Sequence, residues 1–171
     1  MHSDQKKVAI GAGSGVISML VLVYALYLLL PAVSGMNTVL ERVIFTLQLN
    51  VIAALPLFVS IAAVGNGRFL SKAIDPLRHA EDRAVEINGR VADNTLQQNF
   101  IFLAGTLALS TFLTSDTIKL IPALVIVYVL ARIVFWIGYR IDPLYRAPGM
   151  AATSYMNLGI LLTSLYFFFF Y

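Results

Sequence analysis

The sequence predicts an all-α integral membrane protein, a single domain over residues 1–171 built as a bundle of five membrane-spanning helices. Three observations predict it. Of the 171 residues, 59% are hydrophobic and only 12% charged, against about a quarter charged in ordinary soluble domains, and the mean hydropathy is +0.82. The apolar residues fall into runs long enough to cross the hydrocarbon core, which takes about 20 helical residues per span. Basic residues gather in alternate loops between those runs.

The first run covers residues 8–30. It is longer than the roughly 7–15-residue apolar core of a cleavable leader, so it reads as a retained helix even though Ala32-Val33-Ser34 would serve as a cleavage site. Its Gly11-Ala12-Gly13-Ser14-Gly15 is only superficially a dinucleotide fingerprint, because no strand precedes it. Close helix packing through Gly11 and Gly15 is the better reading. The second run, residues 43–64, contains Pro56 and is closed by a turn at Gly65-Asn66-Gly67. A charged loop over 68–89 leads to the third run, 91–114. Ser115-Asp116 reads as the N-cap of a fourth run reaching about residue 139, with Pro122 as a helix-start feature. A loop over 140–148 leads to the fifth run, 149–171. Short connections between antiparallel spans make a compact bundle.

Charge gives the orientation. With five spans, the N-terminus and the second and fourth loops lie on one side. That side holds Lys6, Lys7, Arg68, Lys72, Arg78, Arg83, Arg90, Arg132, Arg140 and Arg146, whereas the other holds Arg42 and Lys119. Basic loops stay cytoplasmic, so the N-terminus is expected in the cytoplasm and the C-terminus outside or lumenal. The aromatic segment Tyr166–Tyr171 would then mark the outer interface. A bacterial inner membrane and an endoplasmic reticulum or Golgi membrane both fit this orientation. The net charge of +3 reflects this topology and carries no nucleic-acid signature.

Several chemistries find no motif. The chain has no cysteine, which excludes disulfides, thiolate nucleophiles of its own and cysteine-based zinc sites. No Ser/His/Asp arrangement, P-loop or zinc-protease pattern is visible, nor is the inverted repeat of many transporters. His79, Glu81, Asp82 and Glu86 lie close together, but one histidine in a charged loop reads as solvated, and no metal site is expected.

The most informative stretch runs from Glu86 to Leu103, where polar residues enter an apolar helix. At 100° per residue, Glu86, Arg90, Asp93, Asn94 and Gln97 share one face within an arc of roughly 100°. A charge entering lipid costs about 2.5–3.5 kcal/mol on insertion scales, so such a face turns toward protein or a wet cavity. Arg132 lies inside the fourth run at similar depth, on one face with Tyr128 and Tyr139. Two readings stand side by side: an ion pair of Arg132 with Asp93 or Glu86 that fixes helix register, or a polar pocket for an anionic ligand. Gln48, Asn50 and Asn157 read as interhelical hydrogen-bond glue.

The stretch Arg90-Val91-Ala92-Asp93-Asn94-Thr95-Leu96-Gln97-Gln98-Asn99-Phe100 resembles the MAPEG superfamily, membrane-associated proteins in eicosanoid and glutathione metabolism. Their shared pattern is an arginine, an asparagine four residues on and usually a glutamate three later. Glu86 fits an acidic residue one turn ahead, and Arg132 followed by Tyr139 is similar to the family's arginine and tyrosine one heptad apart. The likeness covers about 43–170 and leaves 8–30 as an added leading helix. Thr117-Ile118-Lys119-Leu120-Ile121-Pro122 and Ala131-Arg132-Ile133-Val134-Phe135-Trp136 resemble a branch of the family that also has such a helix.

The resemblance implies a homotrimer of four-helix protomers, here with one helix more, holding glutathione between neighbours near the cytoplasmic side. Carried over residue by residue, Arg90 would contact a glutathione carboxylate and Asn94 would add a polar contact. Glu86, Asp93 and Gln97 would share that face, Arg132 and Tyr139 would line the same cleft, and Arg68 matches loosely a further family arginine. Arginine suits the two carboxylates of glutathione because it pairs with them bidentately. The departures are equally specific. Gln97 stands where catalytic members have glutamate, and Met150-Ala151 stand where one branch has an Arg-Ser pair that activates the thiol. Arg146, seven residues after Tyr139, meets the spacing of a thiol-activating arginine in another branch and is the one candidate catalytic residue. The implied function is a weakly catalytic or non-catalytic module whose cytoplasmic-side cleft binds glutathione or a lipid-like anionic ligand, and which acts on a membrane-protein client or on trafficking. The alternative is a glutathione transferase or peroxidase acting on lipophilic electrophiles.

Overall fold

A computed structural model of the chain describes residues 2–75 and 79–170. Arg78 and Tyr171, counted above in the basic side and the aromatic segment, lie outside the described residues. The chain forms five α-helices: α1 (Ser3–Leu29), α2 (Val39–Phe69), α3 (Arg83–Phe112), α4 (Leu120–Ile141) and α5 (Ala147–Phe170). Short 3-10 turns at Lys72–Ile74 and Pro143–Arg146 interrupt two of the loops. By length and composition, Ser3–Leu29, Val39–Phe69, Leu120–Ile141 and Pro143–Phe170 suffice to cross a membrane. At 30 residues α3 is long enough too, but Gln97-Gln98-Asn99 and the charges ahead of them make it the polar exception.

Local chemistry sets the helix ends and moves several of them from the expected places. At the start of α2 a capping box forms: the Glu41 N–H donates to Thr38 Oγ1 at 3.2 Å, and the Thr38 N–H donates to Glu41 Oε2 at 2.7 Å. Gly65-Asn66-Gly67 does not turn. The helix continues through it to Phe69, and Gly67 is there for packing, since a Cβ would stand 2.7 Å from Val85 Cγ2. Asp82 starts α3 eight residues before the apolar run by accepting from the Val85 N–H at 2.8 Å, a strong N-cap. Ser115-Asp116 is not the cap of α4. The Thr117 hydroxyl instead closes a turn by accepting from the Thr114 N–H at 2.8 Å, and α4 begins at Leu120 with Pro122 in its first turn. Pro56 lies inside α2.

Helices α2–α5 pack into one bundle, with α1 laid against α5 and α4. Phe102, Leu109, Ile121, Val125, Tyr128 and Met156 form much of its buried core, and Phe102 stacks on Tyr128 with ring centroids 4.3 Å apart. Asn50 donates to Thr106 Oγ1 at 3.0 Å and Asn157 donates to Gln98 Oε1 at 2.9 Å. Both therefore link helices as expected, whereas Gln48 is exposed and does not.

The α1–α5 contact depends on missing side chains. A Cβ on Gly11 would press on Ala147 and Pro148 at 3.3 Å, and one on Gly15 would collide with the Pro148 carbonyl. A Cβ on Gly13 meets nothing within 4 Å. Gly15→Leu is therefore expected to undock α1 at a cost of about 1–3 kcal/mol, seen as a lower melting temperature in detergent, while Gly13→Leu leaves it unchanged.

Candidate ligand-binding cleft

One helix face builds the site. On α3, Asn88, Val91, Ala92 and Thr95 are buried, while Glu86, Arg90, Asp93 and Gln97 are exposed. The i, i+3 and i, i+4 spacing of each set separates a packed face from a polar one. The polar face forms one wall of a cleft of about 310 Å³, lined by Arg90, Asp93, Asn94, Gln97, Phe135, Tyr139, Arg146 and Met150. Four elements meet here: α3, α4, the 3-10 turn and α5.

Two arginines flank the opening. Arg90 donates through Nη2 and Nε to Glu86 Oε1 at 2.7 and 3.1 Å, with both side chains more than half exposed. Exposed i, i+4 pairs are worth only about 0.3–0.5 kcal/mol, so Arg90 can re-pair at little cost. Arg146 lies 4.9 Å above the Tyr139 ring and forms no salt bridge among the described residues.

Arg132 stands behind this wall and is 1% exposed. It backs the cleft and does not line it, a correction to the expected placement. Its Nη2 donates to Asn94 Oδ1 at 2.9 Å and to Thr95 Oγ1 at 3.1 Å, and its Nη1 donates to Thr153 Oγ1 at 3.0 Å. The guanidinium also rests 4.1 Å over the Phe135 ring, a favourable cation–π stack. No carboxylate pairs with it among the described residues, so the register-fixing pair with Asp93 or Glu86 is not formed. Glu86 is held by Arg90, and Asp93 lies on the cleft wall. Arg132 is thus a buried charge surrounded by neutral oxygens, and its field reaches the cleft through Asn94.

The remaining candidates fall elsewhere. A second pocket of about 510 Å³ lies between α2 and α3 and includes Arg68, Glu81, Glu86, Arg90 and Asp93. Arg68 is paired with Glu81 at 2.6 Å. Arg68 and Glu86 therefore do not share the cleft of Tyr139 and Arg146, and only Arg90 and Asp93 border both pockets. Glu81 and Asp82, two of the four loop residues weighed as metal ligands, serve an ion pair and a helix cap. Among the described residues no group of three or more His, Cys, Asp or Glu side chains is placed to hold a metal.

Three contributors were not foreseen. Thr95 is the inward neighbour of Asn94 and could have been found from the helical spacing. Phe135 had no polar signal, whereas Met150, matched above to the first residue of the Arg-Ser pair, does line the cleft. Thr153 reaches Arg132 only because α5 lies hard against α4 at Gly149, where a Cβ would collide with the Ala131 carbonyl and the Phe135 N–H.

A membrane bundle with an arginine-rich cleft at one end defines the class, and the chain belongs to the MAPEG family, whose model matches residues 46–166 and thus the α2–α5 bundle. Among curated proteins it is similar to Transmembrane protein 79 (mattrin) of Mus musculus, 27% identical over 149 residues, covering 86% of this chain and 38% of that protein. It is likewise 27% identical over 158 residues to Transmembrane protein 79 of Bos taurus, covering 92% of this chain and 40% of that protein. The chain spans less than half the length of these relatives. No solved structure matches it.

Proposed function

We propose that the cleft binds a small anionic ligand of the glutathione type, and that the chain is a weakly catalytic or non-catalytic ligand-binding member of its family. The observation that carries this reading is the convergence of Arg90 and Arg146 on one polar cleft, with the charge of Arg132, which meets no carboxylate among the described residues, directly behind it. Three guanidinium groups focused on one concave surface favour a ligand with carboxylates. Asn94 and Gln97 add neutral hydrogen-bonding groups. Asp93 supplies the one acidic side chain on that wall, which suits an amino group beside the carboxylates.

The outward polar face also supports assembly. Glu86, Arg90, Asp93 and Gln97 are exposed along with Leu96 and Phe100, and charges at membrane depth need cover. A second copy placed against α3 would supply it and would bring the α2–α3 pocket of one protomer toward the cleft of the next. A homotrimer with its cleft at the cytoplasmic side fits both the basic loops and the family. A membrane-protein client would bind outside that cleft.

The test is calorimetric titration of reduced glutathione into detergent-purified protein. Saturable binding that weakens at least about tenfold in Arg90→Ala, the loss of about 1.4 kcal/mol expected for a charge-assisted hydrogen bond, supports the reading. Absence of binding at millimolar ligand removes it.

A second reading, transferase or peroxidase activity on lipophilic electrophiles, is favoured by Arg146 alone, which faces the cleft where a thiol would need a cation to ionise. On that reading, Arg146→Ala abolishes conjugation of glutathione to a chromogenic aryl halide and leaves binding within about twofold, because Arg90 remains to anchor a carboxylate. Equal turnover in the variant removes Arg146 from the mechanism.

A further inference from the structure

A cavity larger than the cleft lies toward the opposite end of the bundle and shares no lining residue with it. It is a groove of about 570 Å³ between α1 and the α2–α5 bundle, well within the size range of about 300–1,000 Å³ that small-molecule sites occupy. Its walls are almost wholly apolar. Tyr24 and Tyr27 of α1 face Leu113, Leu124, Met156 and Phe167 across it. Lys119 lies beside it: its ammonium sits 4.8 Å above the ring of Tyr27, which lines the groove. Lys119 forms no salt bridge among the described residues, and it precedes the first turn of α4, whose N-terminal dipole adds positive potential.

An apolar trough flanked by a cation that forms no salt bridge among the described residues is complementary to an amphiphile with one negative headgroup. Within a bilayer the abundant molecules of that kind are anionic phospholipids. We infer that the groove is a binding site for one acyl chain of an anionic phospholipid, with its phosphate paired to Lys119. Tyr27, whose ring lies under Lys119, then sits at the boundary between headgroup and chain, where tyrosine is favoured. The added helix α1 forms one wall, so the site exists only because this chain carries it. The inference does not depend on what the cleft binds.

Gly159 provides a test that leaves the fold intact, because it lines the groove and a Cβ there meets nothing within 4 Å. A leucine would grow into the trough. The protein is reconstituted into nanodiscs of equimolar dioleoyl-phosphatidylglycerol and dioleoyl-phosphatidylcholine, released, and its retained lipid counted by native mass spectrometry. The wild type is expected to keep one lipid per chain, favouring phosphatidylglycerol by about fivefold, the ratio a single basic residue near a surface supports. Lys119→Ala is expected to keep the lipid and lose the preference. Gly159→Leu is expected to lose the retained lipid of both kinds, with helical circular dichroism and melting temperature unchanged. Equal retention of the two headgroups by the wild type overturns the inference, as does undiminished retention in Gly159→Leu.

Discussion

Arg132→Met is expected to lose most of the affinity for an anionic ligand while the protein stays folded. The two effects separate because of how Arg132 is held. Its partners are the neutral oxygens of Asn94, Thr95 and Thr153 and the face of Phe135, so no carboxylate is stranded when the charge goes. Thr153 Oγ1 also donates to its own helix, to the Gly149 carbonyl at 3.2 Å, and keeps that bond. Asn94 already borders the cleft. Asn94 Oδ1 and Thr95 Oγ1 lose a donor, at about 1–3 kcal/mol for an acceptor left buried, and this is offset by removing the cost of burying a charge that has no carboxylate partner among the described residues. The cleft, however, loses a unit charge. At an effective dielectric near 20, a charge one side chain behind an anion contributes about 2 kcal/mol, or roughly thirtyfold in affinity. Calorimetry and thermal unfolding on the same preparation check both halves. A fall of many degrees in melting temperature with affinity unchanged would assign Arg132 to structure alone.

A large loss of stability is expected at Gly149. A Cβ there would strike the α4 backbone at Ala131 and Phe135, and neither atom can move without displacing the helix. Unlike α1, which can undock to relieve a clash at Gly15, α4 and α5 are both core helices of the bundle, so overpacking here exceeds the usual range of about 1–3 kcal/mol, and few single substitutions cost more than about 4 kcal/mol. Gly149→Ala is therefore expected to fall near the upper end and Gly149→Val to prevent folding. Because this approach also delivers Thr153 to Arg132, the alanine variant is expected to weaken ligand binding as well. Thermal unfolding by circular dichroism in detergent reads the first effect. An alanine variant as stable as wild type would show that the α4–α5 contact is looser than described.

The helices were legible because their signal is physical and repeated: each run needs about 20 apolar residues, and four of the five described helices show it without interruption. Helix ends were less legible. Glycines read as turn formers, so Gly65 and Gly67 suggested a stop, yet in an apolar setting an unbroken helix satisfies its backbone internally. Asp82 extended α3 well ahead of the apolar run, a cap that lies among other polar residues and does not stand out. Within the site, the polar face of α3 followed from helical spacing, and its meeting with Tyr139 and Arg146 followed the family resemblance. The position of Arg132 behind that face did not. Whether a buried arginine faces an acid or a set of hydroxyls depends on the α4–α5 approach, which a single glycine controls. Arg68 and Glu86 line a separate pocket within one chain, because spacing along one helix does not say which side of it a neighbouring helix covers.

Glutathione binding in the cleft is best tested by a cryo-electron microscopy map of the protein in lipid nanodiscs with millimolar glutathione. Ligand density is expected in the cleft, with its carboxylates within hydrogen-bonding distance of Arg90 and Arg146 and its thiol side near Met150. A cleft that is empty, or occupied only by acyl chains, with Arg90 still paired to Glu86, would contradict it.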